Sequence, residues 1–285
     1  MGINFSSMLT ELEPEIRVEA QYVLYRQSLF LPLIMSKNTS GIPGLTTTFP
    51  KLGNMIAADV AETDETPETE LNPDDEEIRV SEKELNVPIT DMGLEAVGPD
   101  ELIKMVGELL GAGMARKFDR DIAATFSQFT KKFGTAGNAL TPGTPAKAVT
   151  YLVTQEAPGT MFGALHPYQA LDIKESLTNL YGEGTKTPPS EMKANEILYQ
   201  YYIGSLSGAN FLETAAILPD ANADAYGAVW TPRAIGANIK KLFELEYERS
   251  GKKRVTHILA HGMWGAKAIN PLWGVGMFGD CSEPV

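Results

Sequence analysis

Acidic residues crowd one stretch of this chain. Between Asp59 and Glu84 stand twelve carboxylates: Asp59, Glu62, Asp64, Glu65, Glu68, Glu70, Asp74, Asp75, Glu76, Glu77, Glu82 and Glu84. Only Arg79 and Lys83 oppose them, so the segment carries −10 of the formal −13. A run of this kind, with Thr, Pro and Asn between the charges, cannot bury enough apolar surface to build a core of its own. It must project from the body or lie against something basic. Its flanks carry strand chemistry, Thr46-Thr-Thr-Phe49 on one side and Glu77-Ile-Arg-Val-Ser-Glu-Lys-Glu-Leu-Asn-Val87 on the other. Two strands joined across an acidic tip predict an extended β-hairpin over 46–90. A lone two-stranded ribbon is marginal in water, so a neighbouring subunit is expected to support it. The candidate inter-subunit contacts are therefore Asp59, Glu62, Asp64, Glu65, Glu68, Glu70, Asp74, Asp75, Glu76 and Glu77. The plainer alternative is a solvated loop.

The balance of 24 basic to 37 acidic side chains argues against a strongly basic nucleic-acid binder. Cys281 is the single cysteine, which removes an intrachain disulfide framework. The longest apolar stretch, Ser28 to Met35, falls far short of the ~20 residues that span a bilayer. The start, Met1-Gly-Ile-Asn-Phe, lacks the basic and apolar regions of a signal peptide, so neither export nor a membrane partner is expected. Asn4 and Asn38 match glycosylation sequons without an export signal beside them.

Periodicity predicts a first helix over about 7–30, with Leu12, Ile16, Ala20, Val23 and Leu24 on one stripe. Gly98-Pro99-Asp100-Glu101 opens a longer one. From Asp100 to Phe129 apolar residues recur at Leu102, Val106, Leu109, Met114, Phe118, Ile122, Phe126 and Phe129. A helix of that length is a structural spine, and Gly107, Gly111 and Gly113 on it would admit another backbone closely. Beyond a turn-rich connector, Ala148–Val153 reads as a strand, and His166-Pro167 opens a helix to about Leu180. Ile203–Thr214 and Thr214–Leu218 read as strands, and Pro232–Ile239 as a helix. Lys241–Glu248 and Arg254–His261 read as strands joined by a hairpin turn at Ser250-Gly-Lys-Lys253.

Catalytic constellations are not apparent. His257 and His261 stand four apart in a β-rich stretch without the glutamate of the H-E-x-x-H motif, so a structural role is expected and no metal. Gly274-Val-Gly276-Met-Phe-Gly279 matches G-x-G-x-x-G, but the expected helix and the acid ~20 residues onward have no room to follow. Neither a Walker A loop nor a G-x-S-x-G elbow occurs. Cys281 reads as incidental rather than as a nucleophile. No cofactor and no enzymatic activity are expected.

Two stretches carry a family resemblance. One is Tyr202-Ile-Gly204-Ser-Leu-Ser-Gly208-Ala-Asn-Phe-Leu-Glu-Thr214. The other runs from Ala228-Val-Trp through Ala234-Ile-Gly236 and Phe243-Glu-Leu-Glu246 to Gly262-Met-Trp-Gly265-Ala-Lys-Ala-Ile269-Asn-Pro271. Together with the order of arm, acidic hairpin, spine helix, mixed α/β insertion and returning strands, they resemble the major capsid proteins of tailed bacteriophages. The resemblance implies an α+β chain with the Hong Kong 97-type capsid fold. It implies an N-terminal arm (1–45), an extended loop (46–90) lying across the adjacent subunit, a peripheral domain (91–135 and 231–265) holding the spine helix, and an apical domain (136–230 and 266–285). It further implies self-assembly as pentamers and hexamers into an icosahedral shell around double-stranded DNA, touched weakly and non-specifically. Scaffolding protein, portal and a decoration protein are the implied partners. The chain would assemble in the host cytoplasm and reside in the virion. The sequence opens on the arm without a long helical prefix, so a fused scaffolding segment is expected to be absent or already removed. Two rival readings are an encapsulin-type nanocompartment shell, which shares the fold, and a soluble α/β enzyme with an acidic insertion.

Overall fold

Residues 5–51, 74–92, 99–182, 205–206 and 208–284 are described in the structure, a computed structural model. Helix α1 (Phe5–Gln27) packs on helix α2 (Pro99–Ala123), and both pack against a four-stranded sheet. The α2 stripe is regular: Val106, Leu110, Met114, Phe118 and Ile122 are all buried at steps of four. At 1.5 Å per residue its 25 residues span about 37 Å. It does not reach Phe129 as an α-helix, because Ala124–Gln128 tightens into a 3-10 turn that carries Phe126 inward. Leu109, expected in the core, is half exposed, and Leu110 takes the buried position. From α1, Ile16, Ala20, Val23 and Leu24 face the core as expected, while the side chain of Leu12 lies outside the described residues.

The four-stranded sheet has the order β1–β10–β11–β4, from β1 (Met35–Asn38), β10 (Ile235–Ser250), β11 (Val255–Ala268) and β4 (Ser81–Thr90). β10 and β11 form one long antiparallel hairpin whose register slips between Ile239 and Glu244. A second sheet has the order β5–β12–β9–β6–β8–β7. It is built from β5 (Lys131–Phe133), β6 (Phe162–Leu165), β7 (Ser205–Leu206), β8 (Ala209–Glu213), β9 (Asp224–Trp230) and β12 (Gly274–Asp280). Helix α3 (Gly143–Thr154) packs Ala148, Val149 and Leu152 onto it, and helix α4 (Pro167–Gly182) adds Ala170 and Ile173. A third, two-stranded ribbon pairs β2 (Thr46–Lys51) with β3 (Asp74–Arg79).

An aromatic cluster holds the two larger sheets and the helices together. Phe30, Phe126 and Trp230 meet with ring centroids 5.0–5.8 Å apart, and the Trp230 indole donates to the Leu33 carbonyl at 3.2 Å. Such pairs add ~0.5–1.5 kcal/mol each beyond the area they bury.

Three local expectations are corrected. Ala148–Val153 is helix, not strand. Its buried residues Ala148, Val149 and Leu152 follow helical spacing, and Pro145 sits in the first turn, where a missing N–H costs nothing. Thr214–Leu218 is a turn in which the Thr214 hydroxyl accepts from the Ala216 N–H at 3.1 Å. Pro232–Ile239 is not helix: Ala234 N–H closes a turn onto the Thr231 carbonyl, and strand β10 begins at Ile235. There, pairing with β11 on one side and β1 on the other outweighs local propensity. The Gly274–Gly279 string lies inside strand β12, so it forms no phosphate-binding turn.

Candidate assembly surfaces

Of the ten candidate contact acids, Asp59, Glu62, Asp64, Glu65, Glu68 and Glu70 lie outside the described residues. Asp74, Asp75, Glu76 and Glu77 are on β3, opposite Lys51, Pro50, Phe49 and Thr48 of β2. Asp75 and Glu77 are exposed. Glu76 turns the other way and accepts from Lys267 Nζ at 2.5 Å. The hairpin root therefore exists as expected, but its support is partly internal. Phe49 and Ile78 bury themselves against Ile269. Asn238 Nδ2 donates to the Ile78 carbonyl at 3.2 Å, and Val80 N–H donates to the Leu45 carbonyl at 2.9 Å. Glu77–Val87 is also not one strand of the ribbon. The chain breaks at Val80, and β4 turns its partly buried Leu85 and Val87 inward as the edge strand beside β11.

A second surface lies where α1 meets α2. Tyr22 and Val18 on α1, and Met105 and Leu109 on α2, are large apolar side chains more than half exposed. Tyr22, Met105 and Leu109 line an open groove of about 680 Å³, with Arg26 and Arg116 among its other residues. Contiguous exposed apolar groups of this kind mark association surfaces. Glu19 and Ile16 approach α2 closely at Gly107, and the Ala20 carbonyl does so at Gly111. The two helices are thus in near backbone contact beneath the groove. The expected close approach falls at Gly107 and Gly111, whereas Gly113 meets the Leu85 side chain.

A third concavity, about 510 Å³, opens between α1, β1 and the bulged part of β10, with Leu24, Leu31, Asn38, Phe243 and Glu244 among its lining residues. At its rim Glu244 accepts from Lys241 Nζ at 2.5 Å and meets His261 Nε2 at 3.0 Å. Lys241 holds the Glu244 carboxyl below its usual range, with His261 assisting. His257 meets Asn86 at 3.2 Å. The two histidines share the less buried face of β11, each with a side-chain neighbour on a different strand.

Three further titratable groups are perturbed by burial. Asp119 is buried, and its carboxylate accepts from Ser28 Oγ (3.0 Å), Leu29 N–H (3.0 Å) and Phe30 N–H (3.3 Å). It thereby fastens the segment just after α1 to the C-terminal part of α2. Burial raises its pKa, against the three hydrogen bonds that favour the anion. His166 Nδ1 accepts from Tyr168 N–H at 3.3 Å at the start of α4, and burial lowers its pKa. Cys281 is buried, and its thiol is pushed up to about 11, first by burial and then by Asp280, Asp172 and Asp224. A thiol so protonated is a poor nucleophile. Among the described residues no three His, Cys, Asp or Glu side chains converge as a metal site would require, and no helix is long and apolar enough to cross a membrane.

The arrangement offers an anchored acidic hairpin, an exposed apolar helix face and a long rigid sheet. Several solved structures share the fold of this chain. The chain has the Hong Kong 97-type capsid fold, matched by many phage capsid structures. It is similar to a chain from Mycobacterium phage Che8, with 18% identity, TM-score 0.62, and 88% of this chain and 90% of that one covered. It is similar also to the capsid of Ralstonia phage GP4, at 10% identity and TM-score 0.64, covering 89% and 88%. A virus-like particle from Pyrococcus furiosus aligns over 93% of this chain and 98% of its own, at 12% identity and TM-score 0.61. No protein-family model and no curated protein sequence matches the chain.

Proposed function

We propose that this chain is the major capsid protein of a tailed bacteriophage, a structural protein that assembles as pentamers and hexamers into an icosahedral head shell around double-stranded DNA. The observation that carries the reading is a capsid fold shared over about nine-tenths of both chains with several phage capsids. In this reading residues 91–135 and 231–265 form the peripheral domain. Residues 136–230 and 266–285 form the apical domain, and 1–45 is the arm. The two larger sheets support that division: the four-stranded one is dominated by 235–268, and the six-stranded one by 162–230 with 274–280. The loop 46–90 carries its acidic tip to a neighbouring subunit. The Tyr22, Met105 and Leu109 face is a further association surface. Scaffolding protein, portal and decoration protein are its partners during and after assembly in the host cytoplasm, and the genome is touched only weakly, as −13 suits.

A cellular nanocompartment shell is the second reading. Two observations favour it: the alignment over nearly the whole of the Pyrococcus furiosus virus-like particle chain, and the concavity beside α1, which is roomy enough for a peptide. Negative-stain electron microscopy of purified protein, expressed with its neighbouring genes, tests both. Closed icosahedral shells with a portal at one vertex and DNA inside support the phage reading. Closed shells without portal or DNA transfer the chain to the second. Only monomers or dimers under all conditions, with scaffold supplied, overturn both.

A further inference from the structure

We propose that the groove between α1 and α2 receives the same groove of a second copy of this chain, turned end for end about a two-fold axis. The proposal rests on the reading of this groove as an association surface and names its occupant. The two helices run side by side in the same direction. Glu19 packs at Gly107, Ala20 at Gly111, and the Leu29 N–H donates to Asp119. Their core stripes, Ile16, Ala20 and Leu24 on α1 and Val106, Leu110 and Met114 on α2, are buried. The groove therefore occupies the outward side of the pair. Tyr22, Met105 and Leu109 stand on it more than half exposed, with Val18 one turn before Tyr22.

Charges in the groove are sorted by sign along the helix axes. Glu19 on α1 and Glu108 on α2 lie near one level. Arg26 and Arg116 lie near another, roughly 10–12 Å farther along at ~1.5 Å per residue. None of these four makes an ion pair with another described side chain. Arg116 Nε donates only to the Ala112 carbonyl, at 3.3 Å. Like charges thus share a level on both helices, and each pair calls for a counter-charge from outside the subunit. Midway between the two levels stand Tyr22 and Ala112, the smallest side chain of the lining.

A second copy turned by a half-rotation about this midpoint relieves both like-charged pairs at once. Glu19 and Glu108 of each copy come opposite Arg26 and Arg116 of the other. The Tyr22 ring of each copy lies beside its twin and over Ala112 of the other copy, where the short side chain leaves room. A second copy laid in the same direction would instead set acid on acid and arginine on arginine. The half-rotated contact is isologous: one patch serves both copies, and the contact closes at two. A tyrosine at the centre with charges around it is the layout of an anchored interface. Exposed ion pairs are individually weak and screened by salt, and a patch of a few apolar side chains is small for an obligate dimer. The contact is therefore weak between free subunits and gains by repetition in a shell.

The test uses the full chain, in which Cys281 is the single thiol and is buried. Tyr22→Cys sets a thiol beside its own twin, so mild oxidation should give covalent dimers on a denaturing gel. Val153→Cys, exposed on α3 outside the groove, should give at least ~10-fold fewer, because only a residue beside a two-fold axis meets its twin. Added to Tyr22→Cys, E19R/E108R and R26E/R116E should each lower the dimer yield at least ~10-fold at ~0.15 M salt, by setting like charges face to face. All four changes together should restore it. The proposal falls if Tyr22→Cys links no better than Val153→Cys, or if the combined variant fails to recover. It also falls if the reversals leave the dimer yield unchanged but lose a co-purifying scaffold protein, because the groove would then hold that protein. Where a reversal alters the circular dichroism, the comparison of the two cysteine variants decides alone. Micrographs separate this contact from the shell reading. Shells without linked dimers overturn the contact and leave the shell, and linked dimers without shells do the reverse.

Discussion

Two neighbouring residues of α2, Phe118 and Asp119, hold the subunit together in different ways. Phe118 is fully buried and stacks edge-on against Trp264 at 5.6 Å. The Trp264 indole donates to Asp121 at 3.0 Å, and Asp121 accepts from Lys117 one turn back. Phe118→Ala should cost ~3–5 kcal/mol, the range for a buried phenylalanine. Chemical denaturation of the isolated subunit measures it, and a neutral result removes Phe118 from the core. Asp119 is different, because its carboxylate is the partner of two backbone N–H groups and one hydroxyl. Asp119→Ala strands these donors and should cost ~1–3 kcal/mol for each buried group left unpaired. Its pH dependence has a definite sign. Burial raises the pKa in the folded state, so the folded chain binds a proton more readily than the unfolded one. Its contribution to stability therefore falls as pH rises through the unfolded and then the folded pKa, and is largest below both. Comparing wild type with Asp119→Asn between pH 7 and pH 4 reads this directly, since only wild type titrates at this position. Wild type should gain on the variant as pH falls, and a gap that widens the other way contradicts the assignment.

Among the elements, α1 and α2 depend on one glycine. A Cβ on Gly111 would lie 2.4 Å from the Ala20 carbonyl oxygen, a distance no real contact sustains. That atom is backbone, so it cannot rotate away, and the helices would have to separate. Gly111→Ala raises helix propensity by up to ~1 kcal/mol, yet it should destabilise the subunit by ~1–3 kcal/mol through overpacking. The opposition makes a clean test. A rise in denaturation midpoint would mean that propensity wins and that the helices are not in backbone contact. The β2–β3 ribbon makes the complementary point. Phe49 and Ile78 on Ile269, with the Glu76–Lys267 pair, give its root a place in the subunit, so only what lies beyond Lys51 and Asp74 is left for a neighbour to hold.

At the scale of the whole molecule the proposed function makes the acidic hairpin an assembly device rather than a fold determinant. Replacing residues 54–71 with a short Gly-Ser turn removes Asp59 to Glu70 but keeps the ribbon register from Lys51–Asp74 to Thr46–Arg79. The shortened subunit should keep its circular dichroism and thermal transition while forming fewer or weaker shells in micrographs. Unfolding would place the hairpin in the subunit core, and shells as robust as wild type would make the tip a solvated loop. Raising salt from 0.05 to 1 M shortens the screening length from above ~10 Å to ~3 Å. Wild-type shells should weaken in the same direction as the truncation, and truncated shells should respond less.

Charge and period were legible without coordinates. Strand chemistry beside the acid run marked the ribbon of β2 and β3, and four-residue steps marked α2. Pro and Gly signals placed the α4 start and the β10–β11 turn, because each depends on residues near one another in the chain. Leu109 and Leu110 could not be ranked by period alone, since adjacent leucines both fit an amphipathic stripe until α1 fixes which side is covered. Ala148–Val153 and Pro232–Ile239 went wrong for a related reason: short β-branched or mixed windows take the structure their long-range partners impose. Val80 reads as the middle of one strand, yet the chain there leaves the ribbon for the four-stranded sheet. Glu19, Arg26, Glu108 and Arg116 were visible one by one, but not as pairs. Only the parallel packing of α1 on α2 brings the two acids to one level and the two arginines to another. Local sequence determined which segments are acidic, basic, helical or extended. The tertiary structure decided which of them face each other, because that is set by packing between residues far apart in the chain.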